Sequence, residues 1–250
     1  MIISHKYKFI FVKCGKVAGT SVEVALRSVL GDQDVCTPVV SYDEEFAKNN
    51  GYPPPSNYRN SQFYDDRVRK FSSKGVFYEH AFAYEIKGIV GDKIWEDYYT
   101  FCIDRSPKDK STSTYFHHRH GINYGYGTIA KGLINKYIRG YDEERYPKGS
   151  VAKISSLADW LNIDRKYALA ENWARYTLND KVIVDKVYNF NKLDSLVSDL
   201  CDITSSKILM PRLKSQFRKR SKLSKAEEKL QERLLENPIY QKEQDLLDKV

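Results

Sequence analysis

Lys8-Phe9-Ile10-Phe11-Val12-Lys13-Cys14-Gly15-Lys16-Val17-Ala18-Gly19-Thr20-Ser21 is the stretch on which the fold turns. Its opening run of aromatic and β-branched residues suits a buried strand. Gly15 and Gly19 then mark a loop. From Ser21 to Leu30, the apolar Val22, Val24, Ala25, Val29 and Leu30 give a helical pattern, ended by Gly31. Strand, glycine loop and helix in that order present backbone N–H groups to an anion at a helix start. A nucleoside-triphosphate loop has the form G-x-x-x-x-G-K-[ST], with lysine directly before the hydroxyl residue. Here Gly19 runs straight into Thr20 and the lysine stands earlier, at Lys16. The loop has room for a phosphate without the usual lysine and metal-holding arrangement.

The rest of the chain continues the alternation. Val76–His80 reads as a second strand, Ala83–Val90 as a helix ending at Gly91, and Tyr99–Asp104 as a third strand. Pro107 suits the first turn of a helix reaching about His118. Helical patterns follow at Ile154–Leu161 and Ala168–Thr177, then a strand at Val182–Tyr188 and a helix at Leu193–Leu200. Strands alternating with helices predict an α/β fold, a central parallel sheet flanked by helices, in a single domain spanning 1–250. Two stretches lack periodicity and are expected as irregular insertions: about 32–75, with Pro53-Pro54-Pro55, and the Gly- and Tyr-rich 120–150. Residues 205–250 read as a basic, helical C-terminal segment, its last part an exposed helix interrupted at Pro238.

Composition narrows the class. The 250 residues are 41% hydrophobic and 30% charged with mean hydropathy −0.59, which excludes wholesale disorder. No apolar run approaches the roughly 20 residues that span a bilayer, and the N-terminus shows no secretory signal. The expectation is a soluble, cytoplasmic protein. Cys14, Cys36, Cys102 and Cys201 are far apart and form no C-x-x-C pair, so free thiols are expected. Almost all of the net charge of +8 sits in residues 205–233, which hold ten Lys and Arg against three Glu. That local basicity suits an anionic ligand, nucleic acid or an acidic polymer as well as a solvated helical face.

A second segment, Arg105-Ser106-Pro107-Lys108-Asp109-Lys110-Ser111-Thr112-Ser113, follows a strand as the first does. Lys16-Val17-Ala18-Gly19-Thr20-Ser21 resembles the 5′-phosphosulfate loop of sulfotransferases that use 3′-phosphoadenosine 5′-phosphosulfate (PAPS), commonly K-[TA]-[AG]-G-T-S. The second segment resembles that family's 3′-phosphate motif, R-N-P-x-x-R-x-x-S. Arg105, Pro107 and Ser113 match at the same spacing, Lys110 stands for the second arginine and Ser106 for the Asn. The resemblance extends from about residue 8 to 200, outside the two insertions, and is closest in pattern to carbohydrate sulfotransferases. Asn191-Lys192-Leu193 falls where the family has E-[DN]-L and lacks its acid.

The resemblance implies the P-loop NTPase-like sulfotransferase fold and PAPS as co-substrate, with no metal. The cofactor-binding residues it implies are Gly15, Lys16, Val17, Ala18, Gly19, Thr20 and Ser21 for the phosphosulfate, and Arg105 and Ser113 for the 3′-phosphate. A forked guanidinium suits phosphate oxygens. Lys16 is the cation for the leaving phosphate. His80, between the two motifs, is the expected general base, with Glu79 as its fallback. The expected acceptor is a hydroxyl on a carbohydrate, for which Tyr52, Tyr58, Tyr64, Tyr124 and Tyr126 are candidate stacking faces. His117, His118 and His120 have no acidic or Cys partner at metal-ligand spacing. Two alternatives remain: a P-loop-type kinase, and a nucleic-acid-binding protein working through 205–233.

Overall fold

The computed structural model describes residues 1–59, 77–122, 150–211, 213 and 222–250. They fall into two compact units: residues 1–104 with 172–213 and Val250, and residues 105–171 with 214–249.

The first unit is built on a five-stranded sheet of order β3-β1-β2-β4-β7, from β1 (Ile2–Ser4), β2 (Phe9–Val12), β3 (Val35–Cys36), β4 (Tyr99–Asp104) and β7 (Lys186–Asn189). β2, β4 and β7 run parallel, with Phe11 opposite Phe101 and Cys102 opposite Val187. β1 is antiparallel to both β2 and β3, so the sheet is mixed where the sequence predicted a parallel one. The reason is the short link between Ser4 and Phe9, turned by Lys8 at φ 54°, which has no room for the crossover that a parallel neighbour needs. Phe9, Phe11 and Phe101 are fully buried, with the Phe101 centroid 5.2 Å from Phe11 and 5.9 Å from Phe9.

Helices α1 (Gly19–Leu26), α2 (Ser41–Asn49) and α3 (Ala83–Val90) belong to this unit, with α6 (Leu193–Thr204) after β7. Part of the expected irregular insertion is therefore regular: β3 and α2 lie within it, and Ser56 bridges back to Cys36. Residues 60–75 of it lie outside the described residues, as do Val76 of the predicted second strand and 123–149 of the second insertion. Phe77–His80 is not a strand, because its side chains reach for charged and carbonyl partners instead of a ladder. The predicted strand at Val182–Tyr188 is split between β6 (Lys181–Val182) and β7. At the break the Asp185 carboxylate takes the N–H and hydroxyl of Thr100, at 2.7 and 2.8 Å. β5 (Thr177–Leu178) and β6 form a hairpin through Asn179 and Asp180, both left-handed, as a tight two-residue turn requires.

The second unit is helical. Its core joins α4 (Pro107–Phe116), α5 (Leu157–Tyr167) and the C-terminal α7 (Lys225–Glu232) and α8 (Pro238–Leu247) through Tyr115, Phe116, Trp160, Leu161, Leu234 and Tyr240. The Trp160 indole donates to Ser111 Oγ at 3.0 Å. Capping boxes start α5 at Ser156 and α7 at Ser224. α5 stops at Ala168, held left-handed at φ 49°, so the predicted helix Ala168–Thr177 shrinks to Trp173–Tyr176. Pro238 starts α8 after the Asn237 cap. Leu234, Tyr240, Glu243 and Leu247 are buried, so the end of the chain is part of a core and not an exposed helix. All four cysteines are free thiols. Among the described residues no helix is long and apolar enough to cross a membrane.

Candidate functional site

The loop after β2 owes its shape to two left-handed residues. Lys16 (φ 63°) and Ala18 (φ 61°) flank Val17, and such alternation turns successive N–H groups toward one side as an anion-binding concavity. α1 begins at Gly19, so its first-turn N–H groups point out at the same loop. Val17, Gly19, Thr20 and Ser21 are buried, while Gly15, Lys16 and Ala18 are half-buried. Ser21 Oγ accepts from the Leu213 N–H at 3.4 Å, which fixes the chain at the entrance to the basic segment beside α1.

The base of the loop is clamped by a residue that sequence reading missed. Asn172, 2% exposed, accepts the Gly15 N–H at 2.9 Å and donates to the Gly15 carbonyl at 3.0 Å and to Asp104 Oδ1 at 2.8 Å. Tyr176 donates to the other Asp104 oxygen at 2.8 Å. Helix Trp173–Tyr176 thereby ties the end of β2 to the end of β4. Nothing in the sequence signals this, since Asn172 lies 157 residues from Gly15. The Gly15 N–H serves the clamp, so Gly15 contributes to the loop by placing it.

Under the loop lies a cluster of charges. Lys13, 2% exposed, ion-pairs with Glu23 of α1 and places Nζ 2.6 Å from Glu79 Oε1. The Met1 ammonium pairs with Glu23 and donates to Thr37 Oγ1 at 2.6 Å. Burial alone would push the Lys13 ammonium down, but Glu23 and Glu79 outweigh it and hold it above the ordinary lysine range. Burial would likewise raise Glu23, but Lys13 and the Met1 ammonium hold it below the usual carboxylate range. Two ammonium groups thus face two carboxylates. The Lys13 stem also explains Gly19: a Cβ there would come within 2.9 Å of Lys13 Cγ.

His80 hangs on this cluster. Its Nδ1 is 3.0 Å from the Lys13 carbonyl oxygen, three residues before Lys16, and its Nε2 is 3.7 Å from Glu79 Oε1. Burial and the Lys13 charge push its pKa down to about 4 against the pull of Glu79. The ring is therefore neutral at pH 7, the state in which an imidazole accepts a proton. Arg175 donates to the His80 carbonyl and lies 4.2 Å from the Phe82 ring centroid. The structure brings Glu79 and His80 together at Lys13, the residue that leads from β2 into the loop, all in the first unit.

The other motif opens the second unit, directly after the last residue of β4. Arg105, mostly buried, places Nη2 3.7 Å from Asp109 Oδ2. Ser113, half-buried, stands four residues beyond Asp109 on the same face of α4. Lys110, in the place of the second arginine, turns inward: it is fully buried with Nζ 2.7 Å from Glu243 Oε2. Ser106, in the place of the Asn, donates to Gln244 Oε1 at 3.2 Å.

The remaining candidates carry less. His117, His118 and His120 form a π-helical turn after α4, and among the described residues no group of three or more His, Cys, Asp or Glu could hold a metal. Tyr52 and Tyr58 are half-buried, with Arg59 over the Tyr58 ring at 5.3 Å. Tyr64, Tyr124 and Tyr126 lie outside the described residues. No protein-family model, curated protein or solved structure matches the chain.

Proposed function

We propose that this chain is a PAPS-dependent sulfotransferase that moves a sulfuryl group to an acceptor hydroxyl, on a carbohydrate. The observation that carries the reading is the loop Gly15–Ser21. It follows a parallel strand, alternates backbone hand at Lys16 and Ala18, and delivers its last residues to the start of α1. The strand beside it, β4, runs parallel and leads directly into Arg105, the first residue of the second motif.

In this reading the loop takes the 5′-phosphosulfate, and Arg105 with Ser113 takes the ribose 3′-phosphate. The acceptor O–H gives its proton to His80 Nε2 as its oxygen bonds to sulfur. The bond from sulfur to the bridging phosphate oxygen breaks, and its electron pair leaves on that oxygen, where Lys16 neutralises the charge. The step needs no metal.

Calorimetric titration with adenosine 3′,5′-bisphosphate, in magnesium-free buffer, tests the reading. Micromolar binding, about 8 kcal/mol, that weakens at least tenfold in Arg105→Ala is the expected outcome. Wild-type protein that gives no heat with the bisphosphate overturns it.

A further inference from the structure

His80 sits where two opposite charges meet, and both come from residues outside the loop motif. The ring touches Lys13 through the backbone: a carbonyl oxygen only accepts, so the 3.0 Å contact places the proton on Nδ1 and leaves the lone pair on Nε2. Nε2 lies 3.7 Å from Glu79 Oε1, beyond hydrogen-bond length. Glu79 is held there by the Lys13 ammonium at 2.6 Å. One lysine therefore acts on the ring twice, through its carbonyl and through its charge.

We propose that Lys13 and Glu79 are positioning residues for His80: the Lys13 carbonyl fixes the ring's tautomer, the Lys13 ammonium anchors Glu79 beside Nε2, and their opposite charges bias the ring in opposite directions. The use of the ring as a base rests on the transfer reading above. Its tautomer and titration do not.

The charges around the ring can be named from every side. Lys13 approaches from the end of β2, Glu79 from the residue before the ring, and Arg175 from helix Trp173–Tyr176, on the His80 carbonyl. Behind Lys13 stand Glu23 of α1 and the Met1 ammonium, just before β1. Burial and the Asp43 charge raise the Tyr42 hydroxyl of α2, and Glu79 adds a smaller push. Burial pushes the Met1 ammonium down, and around the ring burial and the Lys13 charge outweigh the pull of Glu79 on a proton. Removing Glu79 deepens that imbalance and makes the ring harder to protonate. Removing the Lys13 charge does the reverse.

The experiment is a nitrogen-15 NMR titration of the His80 ring in the full chain without nucleotide, its signals assigned by loss in His80→Gln. Wild type is expected in the Nδ1–H form, with a midpoint well below 6.5. Glu79→Gln is expected to lower the midpoint by about one unit and Lys13→Met to raise it by a similar amount. Lys13→Arg is expected to bring it back toward wild type. Loosened packing alone would drive every variant toward the free-histidine value, so the opposite signs separate positioning from a structural role. An Nε2–H wild-type ring overturns the proposal, and so does a Glu79→Gln midpoint that stays or rises. The Glu79 arm stands alone if Lys13→Met does not fold. A chain that fails to bind bisphosphate yet titrates as stated removes the transfer reading and leaves the electrostatic assignment intact. In a chain active in transfer, the acid limb of kcat/KM moves with the midpoint.

Discussion

Lys110→Met separates the two roles that a cation at this position can have. The sequence pattern places Lys110 where a phosphate ligand stands in the resembling family, whereas the fold places it fully buried against the equally buried Glu243. Removing one member of such a pair leaves a carboxylate without its counter-charge in a dry core, which costs about 3–5 kcal/mol. For a chain of this size each kcal/mol is worth roughly 2–4 °C, so the melting temperature of the chain falls by about 6–20 °C. Urea unfolding followed by 5-fluorotryptophan NMR reads the second unit directly, because Trp160 belongs to it while Trp95 and Trp173 belong to the first. The double variant Lys110→Met/Glu243→Leu is expected to regain most of the loss, since an apolar pair of similar volume replaces a buried ion pair at little cost. Bisphosphate affinity of the folded single variant stays within twofold of wild type. A variant that is as stable as wild type but binds bisphosphate tenfold more weakly refutes this reasoning and returns Lys110 to the ligand.

Two further substitutions probe the loop. Asn172→Ala strips the clamp from Gly15 and leaves buried polar groups on Gly15 and Asp104 without it, a loss of about 1–3 kcal/mol. Denaturant titration reads that loss, and calorimetry is expected to show at least a tenfold fall in bisphosphate affinity; full affinity would mean that the loop holds its shape without Asn172. Ala18→Gly removes the cost of a Cβ at φ 61° and is expected to stabilise the chain by about 1 kcal/mol. A destabilised variant in the same denaturant titration would show that the Ala18 methyl packs more than it strains.

The elements that the sequence reveals are those whose signal is local. Phe9–Val12, Ala83–Val90 and Tyr99–Asp104 each carry their own periodicity, and each is found close to where it is predicted. β1 is missed because three residues beside a charged turn carry no pattern; only pairing with β2 and β3 makes them a strand. Tyr78, Glu79 and His80 fail as a strand for the opposite reason. Their composition suits one, but a buried lysine far off in sequence claims the Glu79 carboxylate and, through its carbonyl, the His80 ring. The basic C-terminal segment misleads by its average. Charge density in 205–233 suggests a solvated face, whereas beyond it Tyr240, Glu243 and Leu247 of α8 are buried at an i, i+3, i+7 spacing that a helical core fills. At the candidate site the motif residues are legible because chemistry restricts their types. Asn172 and Lys13, which hold those residues in place, follow no such restriction and become visible only when the chain is folded.

The loop also shows why a motif match and a packing requirement are hard to separate by inspection. Gly19 belongs to the pattern that suggests phosphate binding, yet the atom that excludes a side chain from it is the stem of Lys13. Lys13 must pass beneath the loop because Glu23 and Glu79 lie on either side of it, and both carboxylates would be costly to bury without it. The glycine is thus required by the charge cluster whether or not a phosphate ever arrives. Lys16 and Ala18 differ in kind. A left-handed backbone at two residues bearing Cβ atoms is unfavourable in itself. In the proposed reading that conformation turns successive N–H groups toward the phosphosulfate, whose binding would recover the energy it costs. The case for a phosphate site therefore rests on these two residues more than on the glycines, which is why Ala18→Gly is the informative change: it relieves the strain and leaves the N–H groups in place.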